Sequence, residues 1–393
     1  MRRILIVFIF LFAFTGLAIL MVFRVGLPMR APRPPDGFLI GAVNAHAVDT
    51  SRADLFSGSA PRVVPFQMLY PAASAGTPAL YMPDAGPVID AVADSHGWIF
   101  RVLLGQIGTL AAPWTEAAQP AAGGPFPVII SLPGVTGYMQ MGSYQTTALA
   151  TQGFVVVTLN QPGAVAVTVL PDHRIVMGVT RENAVSLIAP SYSATDQALP
   201  DDFARKLAPE HSIVPYFAAD VSLVLDRLAK INGDPQHILY SSLDLDRVGV
   251  MGMSLGAIVT AQACASDTRI GACLMMDAPV PTEVAANGLR QPALWISRPP
   301  DDQRLERAAS GGWPEDEIDA QARTIAEALS NSERGQLAEL HGLFHIDFTD
   351  LPAIQPVLGW LGQSGAIGVV EAHRQINALT AEFFIGSIGR EQP

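Results

Sequence analysis

The chain has 393 residues and carries 24 basic against 36 acidic groups, a formal net charge of −12. A nucleic-acid partner is excluded on that ground, because binding a phosphate backbone requires a cationic surface to replace its counterions. Hydrophobic residues make up 49% and charged residues only 15%, with a mean hydropathy of +0.30. That is apolar for a soluble protein, and the length suits one α/β domain with insertions and a terminal extension. Cys264 and Cys273 are the only cysteines. Two cysteines make no disulfide framework, and they read as small, buried free thiols.

In chain order, the first feature is an uninterrupted apolar run over residues 4–23. At about 1.5 Å per helical residue it is long enough to cross a hydrocarbon core of about 30 Å. It exceeds the core of about 7 to 15 residues of a cleaved signal peptide, and no Ala-x-Ala-like site follows it. The expectation is an uncleaved transmembrane helix within a membrane anchor, residues 1–26. Positive charges flank it almost equally, with Arg2 and Arg3 before and Arg24, Arg30 and Arg33 after. A short tail before a first span places the following domain on the outer, extracytoplasmic side. Residues 27–36 are proline-rich and read as an extended linker.

Residues 37–393 read as one domain. Two strand-like stretches open it, residues 38–48 and 62–70, followed by a region rich in Ala, Gly and Pro with one apolar helical stretch near Trp98. From Phe126 onward, strands alternate with helices: strand 127–132, helix 144–152, strand 154–159, an excursion over 160–213 suited to a cap, and a helix carrying Phe217, Val221, Val224, Leu225 and Leu228. Strands 271–276 and 293–297, a charged helix 314–330 opened by Pro314, and a C-terminal helix within 366–386 complete the series. Alternation of this kind means an α/β domain, a mostly parallel sheet with helices on both faces. In the terminal helix Ile376, Leu379, Phe383 and Phe384 form a face suited to docking on the domain.

The most informative segment is Arg247-Val-Gly-Val-Met-Gly-Met-Ser-Leu-Gly256, a short apolar strand running directly into Gly-x-Ser-x-Gly. A strand that turns sharply into a helix strains the central residue and leaves no room for side chains at either glycine. Residues 257–265 are small and suit a helix packed close on a sheet. Ser254 is therefore the expected nucleophile, and this strand, turn and helix within a mostly parallel sheet make the α/β-hydrolase fold the expected fold. A serine hydroxyl needs an adjacent base and a group to orient that base, in the chain order serine, acid, histidine.

Asp277 ends the next strand, 23 residues after Ser254, and Asp301 and Asp302 end the one after it. Strand position leaves these acids open. His341, His345 and His373 follow them; His373 falls in the terminal helix and reads as a surface residue, while His345 has the more loop-like context. The four-residue spacing of His341 and His345 suggests a metal pair, but Gly342 interrupts it and no third ligand is evident. No metal and no cofactor is expected. For the oxyanion, backbone N–H groups of Leu255 and of Val135, in the turn 132–137 after an earlier strand, are the candidates.

At these residues the chain resembles the platelet-activating-factor acetylhydrolase family, in its plasma and type II branch with bacterial relatives, from about residue 36 to residue 385. The resemblance rests on Asp49-Thr-Ser-Arg52 before Val64-Pro-Phe-Gln-Met-Leu-Tyr-Pro71, on Gly153-Phe-Val-Val-Val157 leading to Pro171-Asp172, on the elbow, and on His345 followed by Phe348-Thr-Asp-Leu351. It implies that Asp277 is the acid and His345 the base. The chain departs from the family at Pro133-Gly134, where His-Gly is usual, at Gln161-Pro162 in place of His-Pro, and at Met253, where the elbow usually has His.

The expectation is thus a membrane-anchored serine ester hydrolase with catalytic Ser254, Asp277 and His345, acting on a small ester or a short-acyl or oxidised phospholipid. Two alternatives keep less of this reading. An acyltransferase would use the same triad with an alcohol in place of water, and a non-catalytic hydrolase-like module would use the fold to bind partners at the membrane.

Overall fold

A computed structural model describes residues 29–58, 61–192 and 212–389. The apolar run over residues 4–23 lies outside them; among the described residues no helix is long and apolar enough to cross a membrane. Residues 29–36 have no regular structure, yet they are more than a free spacer. Met29 is buried in the core, and Ala31 packs against the same cluster.

Twelve strands are described: β1 (Leu39–Ala53), β2 (Pro61–Ala72), β3 (Thr77–Leu80), β4 (Ala111–Glu116), β5 (Phe126–Leu132), β6 (Val155–Leu159), β7 (Val167–Val169), β8 (Ile175–Met177), β9 (Leu243–Met253), β10 (Ile270–Met276), β11 (Ala293–Ser297) and β12 (Gly335–Glu339). Ten form one sheet in the order β12-β11-β10-β9-β5-β6-β2-β1-β4-β3, and β7 pairs with β8 in a small hairpin. The six strands from β12 to β6 are parallel. From β6 outward β2 and β1 run antiparallel, as the hairpin between two adjacent strands requires.

Period-two alternation divides the buried strand residues between two cores. Val128, Ile130, Val248, Val250, Cys273 and Trp295 face one layer, with the helices Ile213–Asn232, Leu255–Ser266 and Glu315–Asn331. Ile129, Met251, Leu274 and Ile296 face the other, with the helices Ser143–Thr151 and Val369–Ile388. Docking of the terminal helix uses the expected face: Ile376, Phe383 and Phe384 are buried and Leu379 packs against them. Phe384 lies so close to the β9 backbone that a Cβ on Gly249 would stand 2.5 Å from its ring.

Three expectations need correction. The region rich in Ala, Gly and Pro holds more structure than its composition suggests, with β3, β4 and the helix Ala85–His96. Buried Tyr81, Met82 and Trp114 tie it to the core, so packing overrides weak local propensity. Cys264 and Cys273 are bonded to one another as a disulfide rather than free. The connection from the elbow helix to β10 is short and reverses direction, which brings their Cα atoms to 6.4 Å, within bonding reach. His373, read as a surface residue, is buried; its ring stacks on Tyr144 at 3.7 Å and its Nε2 lies 3.0 Å from the Thr349 carbonyl. The terminal helix puts a whole face into the core, and His373 belongs to that face. Within the 160–213 excursion the β7–β8 hairpin and the helix Arg181–Ile188 are described, while residues 193–211 lie outside the described set.

Candidate active site

Parallel strands aim all their carboxyl ends at one edge of the sheet, and this edge collects the predicted residues. Ser254 follows β9, Asp277 follows β10, His345 lies in the loop after β12, and Val135 lies in the loop after β5. Ser254 has φ 56° and ψ −125°, a backbone conformation that an L residue enters only under constraint. Its N–H is bonded to the Met276 carbonyl at 2.9 Å, which ties the turn to β10. A Cβ on Gly252 would stand 2.1 Å from the Gly256 carbonyl oxygen, and one on Gly256 would stand 2.2 Å from that of Leu132. Glycine is obligatory at both positions.

Asp277 is buried and itself has φ 51°. One carboxylate oxygen lies 2.6 Å from His345 Nδ1 and accepts a bond from Arg298 Nε at 2.9 Å. Arg298 Nη2 stands 2.8 Å from the same oxygen, contributing charge rather than an aligned hydrogen bond. The other oxygen accepts from Gln321 Nε2 at 3.1 Å. Burial pushes the Asp277 carboxyl up, but Arg298, His345 and Gln321 outweigh it and hold the group well below the usual carboxylate range. An ionised Asp277 accepts from Nδ1–H and so leaves His345 Nε2 as the nitrogen able to take a proton.

The rival acids serve elsewhere. Asp302 accepts the Gly342 N–H at 2.8 Å, and exposed Asp301 pairs with Arg304. His341 is exposed on the surface, 3.8 Å from Asp302. Among the described residues no group of three or more His, Cys, Asp or Glu side chains could hold a metal ion.

Side chains that sequence reasoning passed over hold the histidine in place. Arg298 is fully buried and bonds Glu306 through Nη1 at 2.6 Å, and the second Glu306 oxygen accepts the His345 backbone N–H at 3.1 Å. Asp347 accepts the N–H groups of Phe344 at 2.7 Å and Gly365 at 2.8 Å, together with the Ser364 hydroxyl. Asp350 accepts from Tyr81 at 2.6 Å, from the Ser143 and Tyr144 N–H groups at 2.9 and 2.8 Å, and from the Ser143 hydroxyl. Burial pushes the Asp350 carboxyl up to about 7 against those four donors. One signal was available for Arg298: it directly follows a strand at the edge where site residues gather.

Leu255 opens the helix Leu255–Ser266, so its N–H is one of those that no intrahelical carbonyl can satisfy. The Val135 loop lies directly over Ser254, since a Cβ on Gly134 would be 3.2 Å from Ser254 Cβ. The next N–H, of Thr136, is committed to the Ala164 carbonyl at 2.9 Å. Ser254, Val135 and His345 all border a cavity of about 310 Å³, whose apolar wall includes Phe100, Leu104, Met141 and Leu351. Of the positions that depart from the resembled family, Gln161 is buried and bonds the Phe217 carbonyl and Asp220, and Met253 lines the cavity.

No family model matches the chain, and no curated protein matches it. Among solved structures it is similar to a ferulic acid esterase from Streptomyces cinnamoneus, with a TM-score of 0.67 and 21% identity over 93% of this chain and 95% of that one. At that identity the likeness speaks for the fold: a large, mostly parallel sheet with helices on both faces, of the α/β-hydrolase kind.

Proposed function

We propose that this chain is a serine carboxylic-ester hydrolase working through an acyl-enzyme, with short-acyl or oxidised phospholipids, or other small lipid-like esters, as substrates. The observation that carries the reading is the contact of His345 with buried Asp277 at 2.6 Å beside a strained Ser254, with Ser254 and His345 bordering one largely apolar cavity. Ser254 attacks the ester carbonyl, His345 Nε2 takes the hydroxyl proton, and the same nitrogen returns it to the departing alcohol. Asp277 holds the tautomer and stabilises the imidazolium, while Arg298 keeps Asp277 ionised. The N–H groups of Leu255 and Val135 receive the charge on the tetrahedral oxygen. Water then attacks the acyl-enzyme.

The solved esterase of similar fold acts, by its description, on ferulic acid esters, and ester chemistry is what the present constellation suits. A membrane location for this protein follows from the apolar run at residues 4–23, which we read as a single span with the domain on the extracytoplasmic side. The Cys264–Cys273 bridge supports that side, since disulfides persist in oxidising compartments. The apolar wall of the cavity is in keeping with a lipid substrate.

The test is fluorophosphonate labelling of the full chain, beside Ser254→Ala, followed by turnover of acetyl, longer acyl and feruloyl esters. Labelling and hydrolysis that vanish in Ser254→Ala, by roughly 10³-fold or more, while the thermal midpoint moves by under about 2 °C, are the expected result. A folded protein that takes no label would favour a non-catalytic binding module.

A further inference from the structure

Ser254 borders two cavities, not one. Besides the large cavity there is a small one of about 40 Å³, whose apolar wall is Ala184, Ile188, Ile258 and Pro279 and whose rim carries Tyr192, Asp277, Glu317 and Gln321. Both touch Ser254, Val135 and Trp313, but His345 lines only the large one. Trp313 stands between the helices Pro300–Ser310 and Glu315–Asn331, after Gly311 and Gly312, with its ring edge-on to His345 at 5.7 Å between centroids.

The chemistry of ester cleavage assigns these spaces. The leaving oxygen must reach His345 Nε2 to receive its proton, so the alcohol half of the substrate has to lie on the histidine side. The acyl carbon is bonded to Ser254 Oγ with its oxygen directed at the Leu255 and Val135 amides, and its remaining substituent points away from the leaving group. The small cavity is the space on that side. At roughly 10–15 Å³ for each water-sized group, 40 Å³ admits about three such groups.

Resting on the hydrolase reading above, we propose that the cavity walled by Ala184, Ile188, Ile258 and Pro279 is the acyl subsite, that the large cavity is the alcohol subsite, and that Trp313 is the partition that limits the acyl chain to about two to four carbons. Acyl selection then depends on a wall that sequence spacing does not reveal, and the alcohol half has a wider and more open site.

The experiment uses the full chain with esters of a single alcohol bearing acetyl, butyryl, octanoyl and feruloyl groups, and acetyl esters of alcohols of increasing size. Wild type is compared with Ala184→Leu, which fills the small cavity, and Trp313→Ala, which opens its wall. For wild type, kcat/KM should fall by about tenfold or more from butyryl to octanoyl, and feruloyl should be poorer still, since one methylene too many in an apolar pocket is worth about 10-fold or more. Ala184→Leu should lower butyryl against acetyl by about tenfold, with the ranking of alcohols unchanged. Trp313→Ala should narrow the butyryl-to-octanoyl ratio by about tenfold; it provides a second reading if Ala184→Leu does not fold. The proposal is overturned if labelled wild type prefers octanoyl or feruloyl esters, or if either substitution reorders the alcohols and leaves the acyl profile intact. Absence of labelling in wild type would sink the hydrolase reading itself, and the subsites with it.

Discussion

The serine turn and the histidine loop belong to one site, yet they are held by different forces. Ser254 sits on a turn whose shape is set by close backbone contacts: two glycines with no space for a Cβ, one against the turn itself and one against β5, a helix that begins at once, and an N–H bonded across to β10. His345 comes from beyond β12, three strands along the sheet from β9. It is fixed by carboxylates: Asp277 on its ring, Glu306 on its backbone, Asp347 and Asp350 within its loop. Steric exclusion makes the first element rigid and intolerant of added atoms. Charge and hydrogen bonding make the second tolerant of size but sensitive to any lost partner.

That contrast can be broken most severely at the turn. Gly256→Ala drives a Cβ to 2.2 Å from the Leu132 carbonyl oxygen, and we expect either no folded protein or a loss of more than about 4 kcal/mol in chemical unfolding. A variant of near wild-type stability would mean that the turn is held less tightly than its contacts indicate.

On the histidine side the largest effect belongs to Asp277→Asn, with an expected fall in kcat of about 10⁴ because the imidazole loses its tautomer control. Removing the charge also leaves buried Arg298 with only Glu306 as a partner. Asp302→Asn, whose carboxylate accepts the Gly342 N–H and stands 3.8 Å from exposed His341, should cost about 1 kcal/mol of stability and under about threefold in kcat. Steady-state kinetics on both variants settles the acid, and the reverse ranking would give that role to Asp302.

Asp347→Asn sharpens the comparison. Its carboxylate touches no substrate, but it pins Phe344, Ser364 and Gly365 around His345. A shift of about 1 Å in the base is worth about 10²-fold, so kcat should drop by that order with KM nearly unchanged. An unaltered kcat would show that Glu306 and Asp277 suffice.

The smallest effect concerns pH. Burial lowers the His373 pKa from 6.5 to about 4, so the unfolded chain takes up a proton before the folded one as acid is added. The contribution of His373 is therefore intact above about 6.5 and is lost as pH falls toward 4. His373→Gln keeps a donor for the Thr349 carbonyl but does not titrate. Its thermal midpoint should fall less than that of wild type between pH 6.5 and 4.5, and parallel curves would refute the assignment.

Much of this was legible in the chain because the relevant signals are local. Residues 247–256 spell out a strand, a close turn and a helix with no reference to anything distant, and the alternation from Phe126 onward implies the parallel sheet whose carboxyl edge must carry the site. The order of acid and histidine was legible, and loop context favoured His345; strand position left Asp277, Asp301 and Asp302 equal and only the family resemblance picked out Asp277, while the structure turns Asp277 alone of the three toward the imidazole. Cys264 and Cys273 were misjudged for a related reason, since whether two thiols meet depends on how a helix packs back on its strand.

Sequence alone thus determined the elements whose conformation is decided by neighbours along the chain: the elbow at Ser254, the strand–helix alternation and the apolar face of the last helix. Tertiary structure decided the contacts that close over long separations: Arg298 beside Asp277, Glu306 under His345, the buried setting of His373, and the two cavities that Trp313 divides. Local sterics act between residues a few positions apart and leave a mark in composition and spacing. Pairing of buried charges and the shape of a cavity depend on which surfaces meet after folding, and no short stretch of the chain records that.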